Sequence, residues 1–265
     1  MMLLEKKNAI IYGAGGAVGG AIARAFAREG ARVFLTGRTR ASLDAVAEQI
    51  AAEGGEVETA QVDALDEQAI ETHADAVVRA TGGIDISVNA IRVAAPGIYG
   101  IPIVELSPER FSLPVTAYLN SHFLTTRAAA RRMIKTRSGV IITITGMPAR
   151  AATPGAGGVA VAWAGIEALT RGLAVELGPL GVRAVCLRSN SIPETTVIRE
   201  GYNARARATG QTPEQIQAAA EATTPLKRLP TLADMANVAT FMASDQARAM
   251  TATVANLSGG LLPDS

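Results

Sequence analysis

The stretch from Asn8 to Gly20 constrains this chain most. A short apolar run, Ala9-Ile10-Ile11-Tyr12, breaks into Gly13-Ala14-Gly15-Gly16-Ala17-Val18-Gly19-Gly20, then resumes at helical spacing through Ala21-Ile22-Ala23-Arg24-Ala25-Phe26. A strand that turns this tightly into a helix aims the free N–H groups of the helix's first turn at an anion such as phosphate. The strict dinucleotide pattern G-x-G-x-x-G would need glycine at 18, where Val18 stands, and the looser G-x-x-x-G-x-G fits at Gly13 and Gly19 with Ala17 in the middle place. What lifts the match above a plain βα turn is its setting. Asn8 to Arg38 forms a complete strand–loop–helix–strand unit, with Val33-Phe34-Leu35-Thr36 as the second strand.

The same alternation runs to the end of the chain. Strand-like runs near 9–12, 31–36, 56–62, 84–89, 138–145, 181–187 and 252–256 are separated by helical stretches, with no linker or repeat between them. This predicts an α/β fold over 1–265: one domain, Rossmann-like, with a doubly wound parallel sheet of about seven strands covered by helices on both faces. Leu119, Phe123, Thr126, Ala130 and Met133 predict one sheet-facing stripe, and Ala162, Ile166, Leu169, Leu173 and Leu177 a second. Between about 191 and 230 the rhythm breaks into a polar, Ala-rich helix and several prolines, read either as a lid over a ligand crevice or as an insertion without a role.

With 25 basic against 24 acidic residues, charge gives no case for nucleic acid or an anionic membrane, so the expected partner is a small molecule. Two histidines and one cysteine are too few for a metal cluster, and Cys186, in an apolar run, reads as a core thiol. No long apolar segment opens the chain and no later run approaches a membrane span, which points to the cytoplasm.

Further segments carry a resemblance to a known family. Gln61-Val62-Asp63, Gly83-Ile84-Asp85-Ile86-Ser87-Val88-Asn89-Ala90, Glu167-Ala168-Leu169-Thr170-Arg171-Gly172-Leu173-Ala174-Val175-Glu176-Leu177-Gly178, Pro225-Leu226-Lys227-Arg228-Leu229 and Ser258-Gly259-Gly260 join the opening glycines. Together they make the chain similar to the short-chain dehydrogenase/reductase family over nearly all of its length. The resemblance implies a nicotinamide cofactor held by Gly13, Gly15, Gly16, Val18, Gly19, Asp63, Asn89 and Ile192, and a homotetramer or homodimer paired through the two long striped helices. Arg38 sits where members that prefer NADP carry a basic residue. Guanidinium suits a ribose 2′-phosphate as an acidic side chain suits the 2′-hydroxyl of NAD, so NADP is favoured, unless Arg38 merely starts the next helix in solvent.

The family's reaction centre is a Tyr-x-x-x-Lys pair with a serine and an asparagine. Its logic is that tyrosine, with an ordinary pKa near ~10, becomes a usable acid beside a lysine ammonium. Here the tyrosine place is Val159, the lysine place Trp163, the serine place Gly146 with Thr145 beside it, and the asparagine place Tyr118. The expected Asn-Asn-Ala-Gly reads Asn89-Ala90-Ile91-Arg92, and the expected Pro-Gly reads Ser189-Asn190. Two readings follow. The first is a divergent NADP(H)-dependent oxidoreductase of a small carbonyl, alcohol or activated alkene, in which Tyr118 or the substrate supplies the proton and Thr145 orients a carbonyl. The second is a non-redox protein, either a cofactor-binding regulator or scaffold or a cofactor-independent enzyme. Tyr118 is either the substitute acid or an aromatic filler. His122 is either its partner or an interface residue, and Arg92 either binds an acidic substrate or a cofactor phosphate, or is a solvated loop cation.

Overall fold

Strands whose residues are apolar on both faces can be buried only in the middle of a sheet covered twice, and the computed structural model, which describes residues 2–93 and 97–263, shows this arrangement. Strands β1 (Asn8–Tyr12), β2 (Arg32–Gly37), β3 (Val57–Gln61), β4 (Ile86–Asn89), β5 (Gly139–Gly146), β6 (Val182–Ser189) and β7 (Val254–Leu257) form one sheet in the order β3-β2-β1-β4-β5-β6-β7. All of the strand pairs are parallel. Helices α1 (Ala17–Arg28) and α2 (Arg40–Ala52) cover one face. They bury Ile22, Phe26, Leu43 and Ile50 against Ile11, Val33 and Leu35, together with Met235 and Met242 of α8 (Leu232–Ala243). Helices α3 (Glu67–Thr81), α4 (Pro108–Thr136) and α5 (Gly157–Leu177) cover the other, where Ile70, Val77 and Met133 close on Ile10, Phe34 and Ile141. Strand order reverses between β1 and β4, so the crevice at their C-terminal ends is where an open α/β sheet takes its ligand.

The long helices bury Thr126, Ala130, Met133, Ala162 and Ile166 as predicted but depart from the stripes elsewhere. On α4 the buried face runs through Tyr118, His122, Thr125, Thr126, Ala129 and Met133, while Phe123 is 46% exposed beneath the Arg127 guanidinium, 4.8 Å from the ring centre. On α5 it runs through Val159, Ala162, Ile166, Thr170 and Ala174, and Leu169, Leu173 and Leu177 are only half-buried. Small and hydroxyl-bearing residues take the inner faces because α4 and α5 pack closely on each other as well as on the sheet, with Leu119 lying against Gly165. The hydroxyls are satisfied within the helix, Thr125 donating to the Ser121 carbonyl and Thr126 to that of His122. An 18-residue window within Gly157–Leu180 has a mean hydropathy of 1.3, long and apolar enough to cross a membrane by composition, contrary to the expectation of no such run; the helix's inner face packs on β5 and β6.

Between 191 and 230 the chain forms two helices rather than one, α6 (Thr196–Thr209) and α7 (Pro213–Thr223). Gly210 ends the first in a left-handed turn, and Thr212 with Gln215 caps the second reciprocally. Ala206 and Ile216 are buried in this pair, and Val197 reaches the crevice.

Candidate active site

The crevice at the C-terminal edge holds two adjoining cavities that share Ala90, Ile91, Arg92 and Val93. The larger, about 550 Å³, runs from Gly13, Gly15 and Gly16 past Arg38, Thr39 and Ser42 to Val62 and Asp63. Gly13 adopts φ +78°, and a Cβ there would stand 2.4 Å from the Ala90 carbonyl oxygen, so neither the conformation nor the space admits a side chain. Gly16 opens α1 without a side-chain cap, which leaves first-turn amides for an anion. Arg38 follows β2, exposed along the cavity wall. Its carbonyl accepts from Gln61 Nε2 at 2.9 Å, and its guanidinium has no ion-pair or hydrogen-bond partner among the described residues. The Asp63 carboxylate accepts the Leu65 amide at 3.0 Å. Asn89 is fully buried at the end of β4, and neither atom of its side-chain amide has a partner among the described residues. Val18 lines the second cavity, whereas Ile192 packs into the core under α1 and α8. A dinucleotide therefore fits this half: the glycine turn, the uncapped helix and the Arg38 cation lie along one groove.

The second cavity, about 210 Å³, is lined by Val18, Ile98, Tyr99, Tyr118, Ile144, Thr145, Trp163 and Val197, with Arg92 at its junction with the first. Tyr118, Val159 and Ile166 form an apolar cluster against which Trp163 packs, and the Tyr118 and Trp163 rings meet edge-on at 6.1 Å. A Cβ on Gly146 would lie 2.5 Å from Trp163 Cζ3, so the indole occupies the space a side chain at 146 would need. Burial pushes the Tyr118 phenol up, opposed by hydrogen bonding from the Val93 backbone, the charge of Arg92 and the Trp163 side chain.

His122 does not pair with that phenol. It is fully buried within the chain, its Nδ1 lies 2.9 Å from the Tyr118 backbone carbonyl, and Nε2 has no partner. Burial lowers the pKa of His122 to about 4, and that of the largely buried His73 also to about 4. A histidine held neutral in the fold binds its proton only after unfolding, so both should draw stability down as pH falls from 6.5 towards 4, each by about 1.4 kcal/mol per pH unit at most. Urea unfolding at pH 7.5 and pH 5 checks this. A His73→Leu, His122→Leu variant should flatten the profile over that window, and an unchanged slope would contradict it.

Behind the second cavity lies a polar network that the sequence reading missed. Thr145 Oγ1 donates to Glu167 Oε1 at 3.0 Å, and Arg188 grips the same carboxylate from Nε and Nη2, both at 2.8 Å. Because an ionised carboxylate can only accept, the Thr145 proton is committed to Glu167 and the hydroxyl offers only lone pairs elsewhere. Thr145 thus bonds Glu167 on one side while lining the second cavity on the other. Cys186 Sγ lies 3.5 Å from Thr145 Oγ1, and its burial pushes the thiol up to about 11, an inert core group as expected. Two signals were available: a charged residue inside the apolar run Val185-Cys186-Leu187-Arg188, and Glu167 one turn after Trp163 on α5. Among the described residues no group of His, Cys, Asp and Glu could hold a metal ion.

The family model described as "Enoyl-(Acyl carrier protein) reductase" matches residues 13–262. A probable 2,4-dienoyl-CoA reductase of Bacillus subtilis is 30% identical, with 97% of each chain covered. L-rhamnose 1-dehydrogenase (NAD(P)(+)) of Azotobacter vinelandii is 31% identical, with 98% of each covered. The crystal structure of sorbitol-6-phosphate 2-dehydrogenase from Erwinia amylovora superposes with a TM-score of 0.89 at 27% identity, over 96% of this chain and 99% of that one.

Proposed function

The chain belongs to the short-chain dehydrogenase/reductase family, whose oxidoreductases use nicotinamide cofactors, and on that premise we propose an NADP(H)-dependent oxidoreductase of a small carbonyl, alcohol or activated alkene that works without the family's tyrosine–lysine relay. The observation that carries this reading is the unpartnered Arg38 guanidinium on the wall of the larger cavity, in line with the glycine turn. The amides at the start of α1 would hold the pyrophosphate, Arg38 the 2′-phosphate, and Val62 with Asp63 the adenine end. When bound, the cofactor supplies the hydride.

What the chain adds is orientation and exclusion of water. Trp163, Ile98, Ile144 and Val197 wall the reacting end with apolar surface, and Val197 comes from the two-helix excursion at 191–230, which supports its role as a lid. Tyr118 and Tyr99 supply the phenolic donors there, and Tyr118 is the proposed proton source when the substrate does not provide its own. A buried phenol with a raised pKa is a reluctant acid, so turnover should fall short of a full relay by up to the ~10²–10⁴ that general acid catalysis contributes. Both reaction types named for the relatives, at an alcohol and at a dienoyl thioester, fall within the proposed substrate range. Exposed Phe123, Val161 and Val175 on α4 and α5 support a homodimer or homotetramer.

Calorimetric titration with NADPH and NADH, followed by NADPH consumption against carbonyls and enones, tests the proposal. NADPH should bind more tightly than NADH. Arg38→Asp should weaken NADPH by about 10–10²-fold, the worth of charge-assisted bonds to a phosphate, and reverse the preference. Equal affinity for both cofactors in the wild type would remove the argument from Arg38. One observation favours the second reading, a non-redox cofactor-binding protein: the Trp163 ring closes the place of the family's lysine and leans on Gly146. Tight NADPH binding with no consumption across the panel would select it.

A further inference from the structure

Arg92 lines both cavities where they meet, and it is the one charged side chain on the described wall of the smaller one. No described residue gives its guanidinium an ion pair or a hydrogen bond, although ion pairs tie down Arg127, Arg131 and Arg132 elsewhere on the same side of the sheet. Its charge acts on both the Tyr99 and Tyr118 phenols, which places it beside the hydroxyl-bearing wall. Val18, Ile144 and Trp163 also line this cavity. The donors on this wall are the Tyr99 and Tyr118 phenols and the Trp163 indole N–H, while the Thr145 hydroxyl donates to Glu167.

We propose that Arg92 binds the carboxylate of a small organic acid whose hydrocarbon part fills the 210 Å³ cavity, making the substrate a short 2-oxo, hydroxy or α,β-unsaturated acid. The physical case is one of matching. A guanidinium fork meets a carboxylate through two parallel bonds, and here the exposed Arg92 guanidinium stands beside apolar cavity wall that can take the acid's hydrocarbon part. The cavity is smaller than the ~300–1,000 Å³ that holds drug-sized ligands, so the acid is a short one. The proposal rests on the oxidoreductase reading for the reacting group only; the binding of the anion stands on the cavity alone.

The test uses butyrate and butyramide, equal in shape, different in charge and neither reducible, titrated into the full chain with and without saturating NADPH. Butyrate should bind at least about tenfold more tightly than butyramide. Arg92→Gln should abolish that preference, Arg92→Lys should keep part of it, and the NADPH dissociation constant should stay within about twofold in both, since a lost phosphate contact would shift it tenfold or more. A thermal melt confirms that each variant is folded. Equal binding of the two probes overturns the proposal, and so does an Arg92→Gln variant that loses NADPH affinity instead, because the guanidinium then serves a cofactor phosphate. A butyrate preference without any NADPH binding would leave the anion site standing and remove the oxidoreductase reading.

Discussion

Replacing Arg188 with methionine is expected to destabilise the chain by about 3–5 kcal/mol, because it strands a buried carboxylate with one neutral donor. Arg188 is 3% exposed and Glu167 5%, so neither charge can recover water without opening the contact between α5 and β6. Glu167→Leu should also destabilise the chain, because the buried Arg188 guanidinium loses its two-point contact with that carboxylate. The double variant Glu167→Leu, Arg188→Met should recover most of the loss, since apolar groups of similar volume need no hydration to replace, short of the ~1 kcal/mol at stake in Thr145's acceptor. Urea unfolding of the wild type, both single variants and the double closes this cycle, and melting should fall by about 2–4 °C per kcal/mol. Single variants within about 1 kcal/mol of the wild type would mean that the pair is hydrated, and the account of the Thr145 proton would go with it.

How much of this was legible in the sequence depends on the range of the interaction. Strands β1, β2 and β4 read directly, because a central parallel strand must be apolar on both faces, and their ends lie within a few residues of expectation. The glycine turn read equally well, since Gly13's positive φ and its contact with Ala90 follow from a strand turning at once into a helix. The inner faces of α4 and α5 read only in part: Thr126, Ala130, Met133, Ala162 and Ile166 are buried as expected, whereas Phe123 is exposed and Leu169, Leu173 and Leu177 are half-buried. Periodicity finds the largest apolar side chains, but where helices pack on a sheet and on each other, the tight face belongs to alanine, threonine and glycine. The break between α6 and α7 was written in Gly210 and Pro213 and was read as a single helix. The Glu167–Arg188 pair joins a helix to a strand, a contact that no local pattern encodes.

The expected behaviour of Gly146 and Trp163 turns the missing relay into an experiment. Gly146→Ser alone should destabilise by about 1–3 kcal/mol and bring no gain in rate, because its Cβ would meet the indole at 2.5 Å. Val159→Tyr alone should also be harmful, since Val159 is fully buried with Tyr118 and Ile166 around it. Trp163→Lys alone would set an ammonium among apolar side chains and leave a void where the rings now meet. Changed together, Tyr118→Asn and Trp163→Lys free more side-chain volume than Gly146→Ser and Val159→Tyr add, so the new groups at 146 and 159 gain the room that each lacks alone. The fourfold variant should therefore be more stable than the sum of its single changes, and its kcat for NADPH-dependent carbonyl reduction should rise by about 10²–10⁴, the usual worth of a positioned general acid. If Gly146→Ser is tolerated alone, the indole is free to swing aside and the four positions are independent. If the fourfold variant folds and binds NADPH yet gains no rate, the proton relay is not what limits this chain, and the remaining departures around the nicotinamide end, Arg92 and Asn190, become the places where the reaction was redirected.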